Sequence, residues 1–233
     1  MKANKPVDKL LKLLDYQFKQ DDLLQDALTH RSASARNNER MEFLGDSILN
    51  FVIAEELFIK YPQYPEGDLS RLRASLVNKD GLALVAQDLQ LGDYLRLGSG
   101  ELKSGGFRRH SILADAVEAI FGAVLMDSNF DACKKLILRL YQEQLNNVAD
   151  PAMLKDPKTR LQELLQSRKF PLPVYEVTEI KGKAHQQEFS ICCCIEDLNI
   201  ETHSHAASRR KAEQIAAEDA ITQVQQQLEK VKK

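Results

Sequence analysis

Residues 111–126 read Ser-Ile-Leu-Ala-Asp-Ala-Val-Glu-Ala-Ile-Phe-Gly-Ala-Val-Leu-Met, and their only charges are Asp115 and Glu118. A segment this apolar belongs in a core, and its length and spacing suit a helix. The two acids stand three residues apart and so share one helical face. They also exclude a membrane-spanning role for this stretch. The same conflict recurs at residues 39–53. There Glu39, Glu42 and Asp46, at spacings of three and four, sit among Met41, Phe43, Leu44, Ile48, Leu49, Phe51, Val52 and Ile53, with Arg40 as the sole interleaved cation. Carboxylates crowded onto apolar helices repel one another and resist desolvation. Each acidic group can reach solvent or a buried cation on a structural helix. Alternatively, the two helices converge to build one acidic metal site. Two helices with the same defect favour convergence, and hard oxygen donors suit Mg²⁺.

The 233 residues allow one large domain or two small ones. A net charge of −2 offers no bulk attraction for a polyanion. Residues 1–154 hold 19 basic against 22 acidic side chains, and residues 155–233 hold 13 against 12. Any polyanion must therefore be met by local basic patches. The first twelve residues are basic without a continuous apolar stretch, so no signal peptide is expected. Cys133 is isolated, while Cys192, Cys193 and Cys194 are consecutive. Neighbouring strand residues point to opposite faces, so these three are poorly placed to pair. His203 and His205 lie nearby, but the spacing is not that of a zinc finger. Inert thiols in a reducing cytoplasm are the expectation.

Helical periodicity covers residues 7–14, 22–29, 39–61, 67–89, 112–126 and 131–145. Residues 98–109 are glycine-rich and basic, suited either to a flexible connector or to approaching a phosphate backbone with Arg108 or Arg109. Residues 146–157 lose periodicity and carry Asp150-Pro151 and Asp156-Pro157, the composition of a linker. Beyond it, residues 158–168 read as helix, 174–180, 188–195 and 199–205 as strands, and 208–231 as a final helix. That last helix opens with Ser208-Arg209-Arg210-Lys211, a good cap followed by three cations. Cations there oppose the helix dipole unless an anion sits in front of them.

Together these residues carry a pattern. Asn38-Glu39-Arg40-Met41-Glu42-Phe43-Leu44-Gly45-Asp46-Ser47 resembles the signature of bacterial ribonuclease III. Residues 28–32, 66–70, 100–106 and 112–119 resemble further blocks of that family, in order. Residues 155–230 resemble a double-stranded-RNA-binding domain. The resemblance implies an all-α nuclease domain at 1–147, a linker at 148–156 and a small α+β (α-β-β-β-α) binding domain at 157–230. It implies a cytoplasmic, homodimeric endoribonuclease with no membrane partner. This enzyme would hydrolyse double-stranded RNA with Mg²⁺, which Mn²⁺ can replace, leaving staggered ends with 3′ overhangs. Precursors of ribosomal RNA and other structured RNAs are the substrates it implies. Glu42, Asp46, Asp115 and Glu118 match the metal-site carboxylates, with Asp46 and Glu118 catalytic. Glu39 and Glu66 match supporting acids. Thr159, Gln162 and Glu163 would face one minor groove, His185 the next, and Arg209 and Arg210 the phosphates between. One departure stands out: Ser204-His205-Ala206-Ala207 replaces a turn that usually carries glycines. The alternatives are a non-catalytic regulator that binds double-stranded RNA and, less well supported, a metal-dependent phosphatase.

Overall fold

The computed structural model describes residues 6–183 and 186–231, with side chains to residue 228. The chain divides into two compact units, Met1–Pro151 and Ala152–Lys233.

The first unit is helical: α1 (Asp8–Leu14), α2 (Asp21–Ala27), α3 (Glu39–Lys60), α4 (Glu66–Val77), α5 (Lys79–Asp88), α6 (Ser99–Lys103), α7 (His110–Asp127), α8 (Phe130–Leu140) and α9 (Gln142–Asn146). Helix α7 is its centre. Buried residues lie on every side of it, from Ile112 through Val124, and it packs against α2, α3, α5 and α8. Its closest neighbour is α3, and the reason is two glycines. A Cβ on Gly45 of α3 would fall 1.7 Å from the Glu118 carbonyl oxygen, and one on Gly122 of α7 would fall 2.2 Å from that of Met41. The backbones therefore touch at both ends of the crossing, and no larger residue fits either place.

The far end of α7 is anchored too. Asp127 is 6% exposed and its carboxylate accepts from the Lys19 and Gln20 amides and, at 2.7 Å, from the Tyr16 hydroxyl. Burial alone would raise its pKa. The hydrogen bonds outweigh burial and hold it below the usual carboxylate range.

Two expected helices are interrupted. The span 67–89 breaks at Asn78, whose extended backbone ends α4 and whose side chain caps α5 by accepting from the Asp80 and Gly81 amides. The span 131–145 is interrupted at Tyr141, whose ring is fully buried.

The second unit runs α10 (Pro157–Ser167), β1 (Val174–Lys181), β2 (Glu188–Ile195), β3 (Ile200–Ala206) and α11 (Arg209–Val231). The strands form an antiparallel sheet in the order β1-β2-β3. Ile191, Cys193 and Ile195 turn one face of β2 into a core shared with Leu161 and Leu165 of α10 and Ala212, Ala216 and Val224 of α11. The turn lacking glycines is unstrained, because β3 continues to Ala206 and, among the described residues, none from Ser204 to Ser208 has a positive φ. Ser208 caps α11 as expected, accepting from the Lys211 amide at 3.3 Å.

The crossing generates the first prediction. Gly45→Ala or Gly122→Ala should each cost about 1–3 kcal/mol by overpacking. The thermal midpoint should fall, and the acids of α3 and α7 should part. Thermal melts of both variants check this, and wild-type stability in either would contradict the close-contact account.

Candidate active site

The α3–α7 contact sets Glu42 beside Asp115 and Glu118. Carboxylate oxygens of these three residues lie within 4.8 Å of one another. Asp46, one turn along α3, is exposed, and its charge acts on Glu118. Asn50 donates to its carboxylate at 2.8 Å and fixes its direction.

The electrostatics follow from the packing. Burial, then the charges of Asp46, Glu42 and Asp115, push the Glu118 carboxyl up to about 8. Burial and Asp115 raise Glu42. Burial also raises Asp115, opposed by the nearby charges of Lys79, His30 and Arg31. Clustered oxygen donors, kept from full ionisation by burial and, for Glu42 and Glu118, by neighbouring acids, are a set that a hard divalent cation fits.

Glu39 lies at the start of α3, bridged by Arg31 at 3.3 Å. It lines a polar cleft of about 570 Å³ together with His30, Arg31, Glu42, Arg109 and Asp115. Glu66 opens α4, accepts from the Ser70 hydroxyl at 2.6 Å and is not part of the three-acid group. His30 has a structural bond, its Nδ1 lying 2.8 Å from the Ser32 hydroxyl. The glycine-rich segment contains α6, and Arg109 is tied to Glu101 at 3.0 Å, which presents the guanidinium to the cleft.

Sequence reasoning missed Arg31 and Lys79 as the cations facing the acids. Lys79 was hidden because periodicity read straight through the break at Asn78, where it opens α5. In the second unit Thr159, Gln162 and Glu163 are exposed on α10, and Lys155 bridges Glu163 at 2.8 Å. Arg209 and Arg210 open α11, reaching Glu213 at 2.8 Å and Asp156 at 3.9 Å while remaining largely exposed. His185 lies outside the described residues.

Comparison with known proteins agrees with this fold. The family model described as ribonuclease-III-like matches residues 20–145, and the one described as a double-stranded RNA binding motif matches residues 157–224. Ribonuclease 3 of Vibrio atlanticus is 55% identical over 221 residues, covering 95% of this chain and 98% of that protein. Ribonuclease 3 of Vibrio cholerae is 55% identical over 219 residues, covering 94% and 97%. A solved nuclease domain of ribonuclease III from Campylobacter jejuni, described for flexibility in a region involved in dimer formation, superposes with a TM-score of 0.58. It is 45% identical and covers 59% of this chain and 97% of its own.

The acids make stability depend on pH in a direction opposite to most carboxylates. Folded Glu118 keeps its proton up to about pH 8, whereas an unfolded glutamate releases it near about 4.3. Between those values the folded state binds more protons, so stability falls as pH rises. In chelator-treated protein, thermal midpoints should drop across that window. Glu118→Gln should flatten the drop, and a divalent cation should restore the wild type at the alkaline end. Equal pH responses in both proteins would place the proton elsewhere.

Proposed function

This chain belongs to the bacterial ribonuclease III family, and as such is an endoribonuclease for double-stranded RNA; we propose that Glu42, Asp46, Asp115 and Glu118 are its metal ligands and that the metal is Mg²⁺. The observation that carries this reading is the meeting of Glu42, Asp115 and Glu118 on two touching helices. Divalent metal dependence accompanies the family, and the oxygen-only donor set favours Mg²⁺, with Mn²⁺ as a substitute. When bound, the metal would neutralise phosphate oxygens and make water more acidic.

The chain's own residues do the rest. In the metal-free site Glu118 holds its proton to about pH 8, so a cation that binds there displaces that proton. Asp46 is held in place by Asn50. Arg31 and Arg109 line the cleft and offer charge to phosphate oxygens. Glu39 tethers Arg31 and so supports the site indirectly. Thr159, Gln162 and Glu163 on α10 and Arg209 and Arg210 on α11 form the duplex-reading surface, where shape and phosphates matter more than sequence.

The working unit is a homodimer. Phe43 is 77% exposed, Phe51 56% and Phe58 70%, all on α3, while Leu57 is fully buried. Three exposed phenylalanines on one helix are more apolar surface than a monomer ordinarily leaves to water. A two-fold axis would give each RNA strand one set of acids. Offset cuts, 3′ overhangs and the processing of ribosomal-RNA precursors in the cytoplasm complete the reading.

The test uses a long RNA duplex. Wild-type protein should cleave it with Mg²⁺ and stop when the metal is chelated. Glu118→Gln should bind the duplex yet cut at background rate. Mixed dimers of wild-type and Glu118→Gln subunits should nick one strand. A chain that sediments as a monomer while making double-strand cuts would overturn the dimer, and cleavage by Glu118→Gln at wild-type rate would overturn the assignment of the acids.

A further inference from the structure

The sheet of the second unit has an open face, and that face holds a cluster of donors with a different chemistry. Because Ile191, Cys193 and Ile195 point into the core, Cys192 and Cys194 point the other way. The antiparallel register then places Cys192 opposite His203 and Cys194 opposite Glu201. Opposed residues on one face have Cβ atoms about 4.5–5.5 Å apart, so the four side chains form a small quadrilateral.

Their distances agree. The Cys192 and Cys194 sulfurs are 3.1 Å apart. The Cys192 thiol donates to Glu201 Oε1 at 3.3 Å, and His203 Nε2 lies 3.1 Å from the same oxygen. Ligand atoms of Cys192, Glu201 and His203 all fall within 4.8 Å of one another. Cys192 is 4% exposed, whereas the side chains of Glu201 and His203 are 61% and 65% exposed. The cluster thus has a shielded floor and an open mouth through which an ion can enter.

We propose that Cys192, Cys194, Glu201 and His203 form a Zn²⁺ site that clips β2 to β3. Two sulfurs, one imidazole nitrogen and one carboxylate oxygen are a four-donor set for tetrahedral zinc and a poor one for Mg²⁺. With Zn–S bonds of about 2.3 Å, tetrahedral sulfurs lie about 3.8 Å apart, so the pair needs only to separate slightly by side-chain rotation. Each thiol gives its proton to solvent as its Zn–S bond forms, and His203 binds as the neutral imidazole. The clip stabilises the second unit only when the ion is present. This proposal is independent of the carboxylate cluster, which takes a harder cation in the other unit.

The test titrates Co²⁺, a spectroscopic stand-in for Zn²⁺, into the reduced full-length chain in excess Mg²⁺ so that the carboxylate cluster does not compete. The expected result is a sulfur-to-cobalt charge-transfer band and tetrahedral visible bands, both abolished by Zn²⁺ and both missing from C192S/C194S. His203→Ala, at an exposed position that leaves the fold intact, should weaken cobalt binding while keeping the sulfur band. Circular dichroism and retained duplex binding establish that the double variant is folded. Zn²⁺ should raise the thermal midpoint of the wild type and not of C192S/C194S. No sulfur band, a band that survives C192S/C194S, or a Cys192–Cys194 disulfide forming in place of metal uptake would each overturn the proposal.

Discussion

The first unit depends on two helices that touch backbone to backbone. Gly45 and Gly122 remove the side chains that would hold α3 and α7 apart, and the apolar surfaces of both helices close around the contact. Burial of that surface is the favourable term, at roughly 25 cal/mol per Å². The unfavourable term is carried at the same place, since the contact that buries the apolar faces also forces the acids together. The raised pKa of Glu118 measures this conflict. Local rules of good packing are broken at the acids and satisfied around them.

The legible part of this arrangement was whatever one helix could show. Spacings of three and four put Glu39, Glu42 and Asp46 on one face, and Asp115 and Glu118 on another, without any tertiary knowledge. Apolar periodicity likewise marked α7 as a core helix. What sequence could not show lay between elements. Asn78 reads as one polar residue in a periodic run until its side chain is seen capping α5. Leu57 and Phe58 look alike as apolar neighbours, yet one is fully buried and the other exposed, because only the tertiary surface distinguishes their faces. The cysteines are the sharpest case. Strand alternation correctly sets Cys193 apart from Cys192 and Cys194, but only the register to β3 brings His203 and Glu201 opposite them.

The two units divide the electrostatic work. The first concentrates negative charge and leaves Arg31, Lys79 and Arg109 to temper it. The second is close to neutral yet sets Arg209 and Arg210, both largely exposed, at a helix start, a position suited to phosphate. A chain with net charge −2 can therefore engage a polyanion through placement alone.

The anchoring of α7 by Asp127 has a consequence for how the molecule is made. The carboxylate that accepts from the Lys19 and Gln20 amides lies more than a hundred residues downstream of them. On a ribosome, which adds about 5–20 residues per second, the segment around Tyr16 waits several seconds for its partner. The carboxylates of α3 also wait for α7 before they can meet Asp115 and Glu118. The contacts that close the nuclease unit thus wait until α7 has been made. α10 and the sheet follow α7 in the chain, so the residues of the acidic site leave the ribosome before those of the second unit.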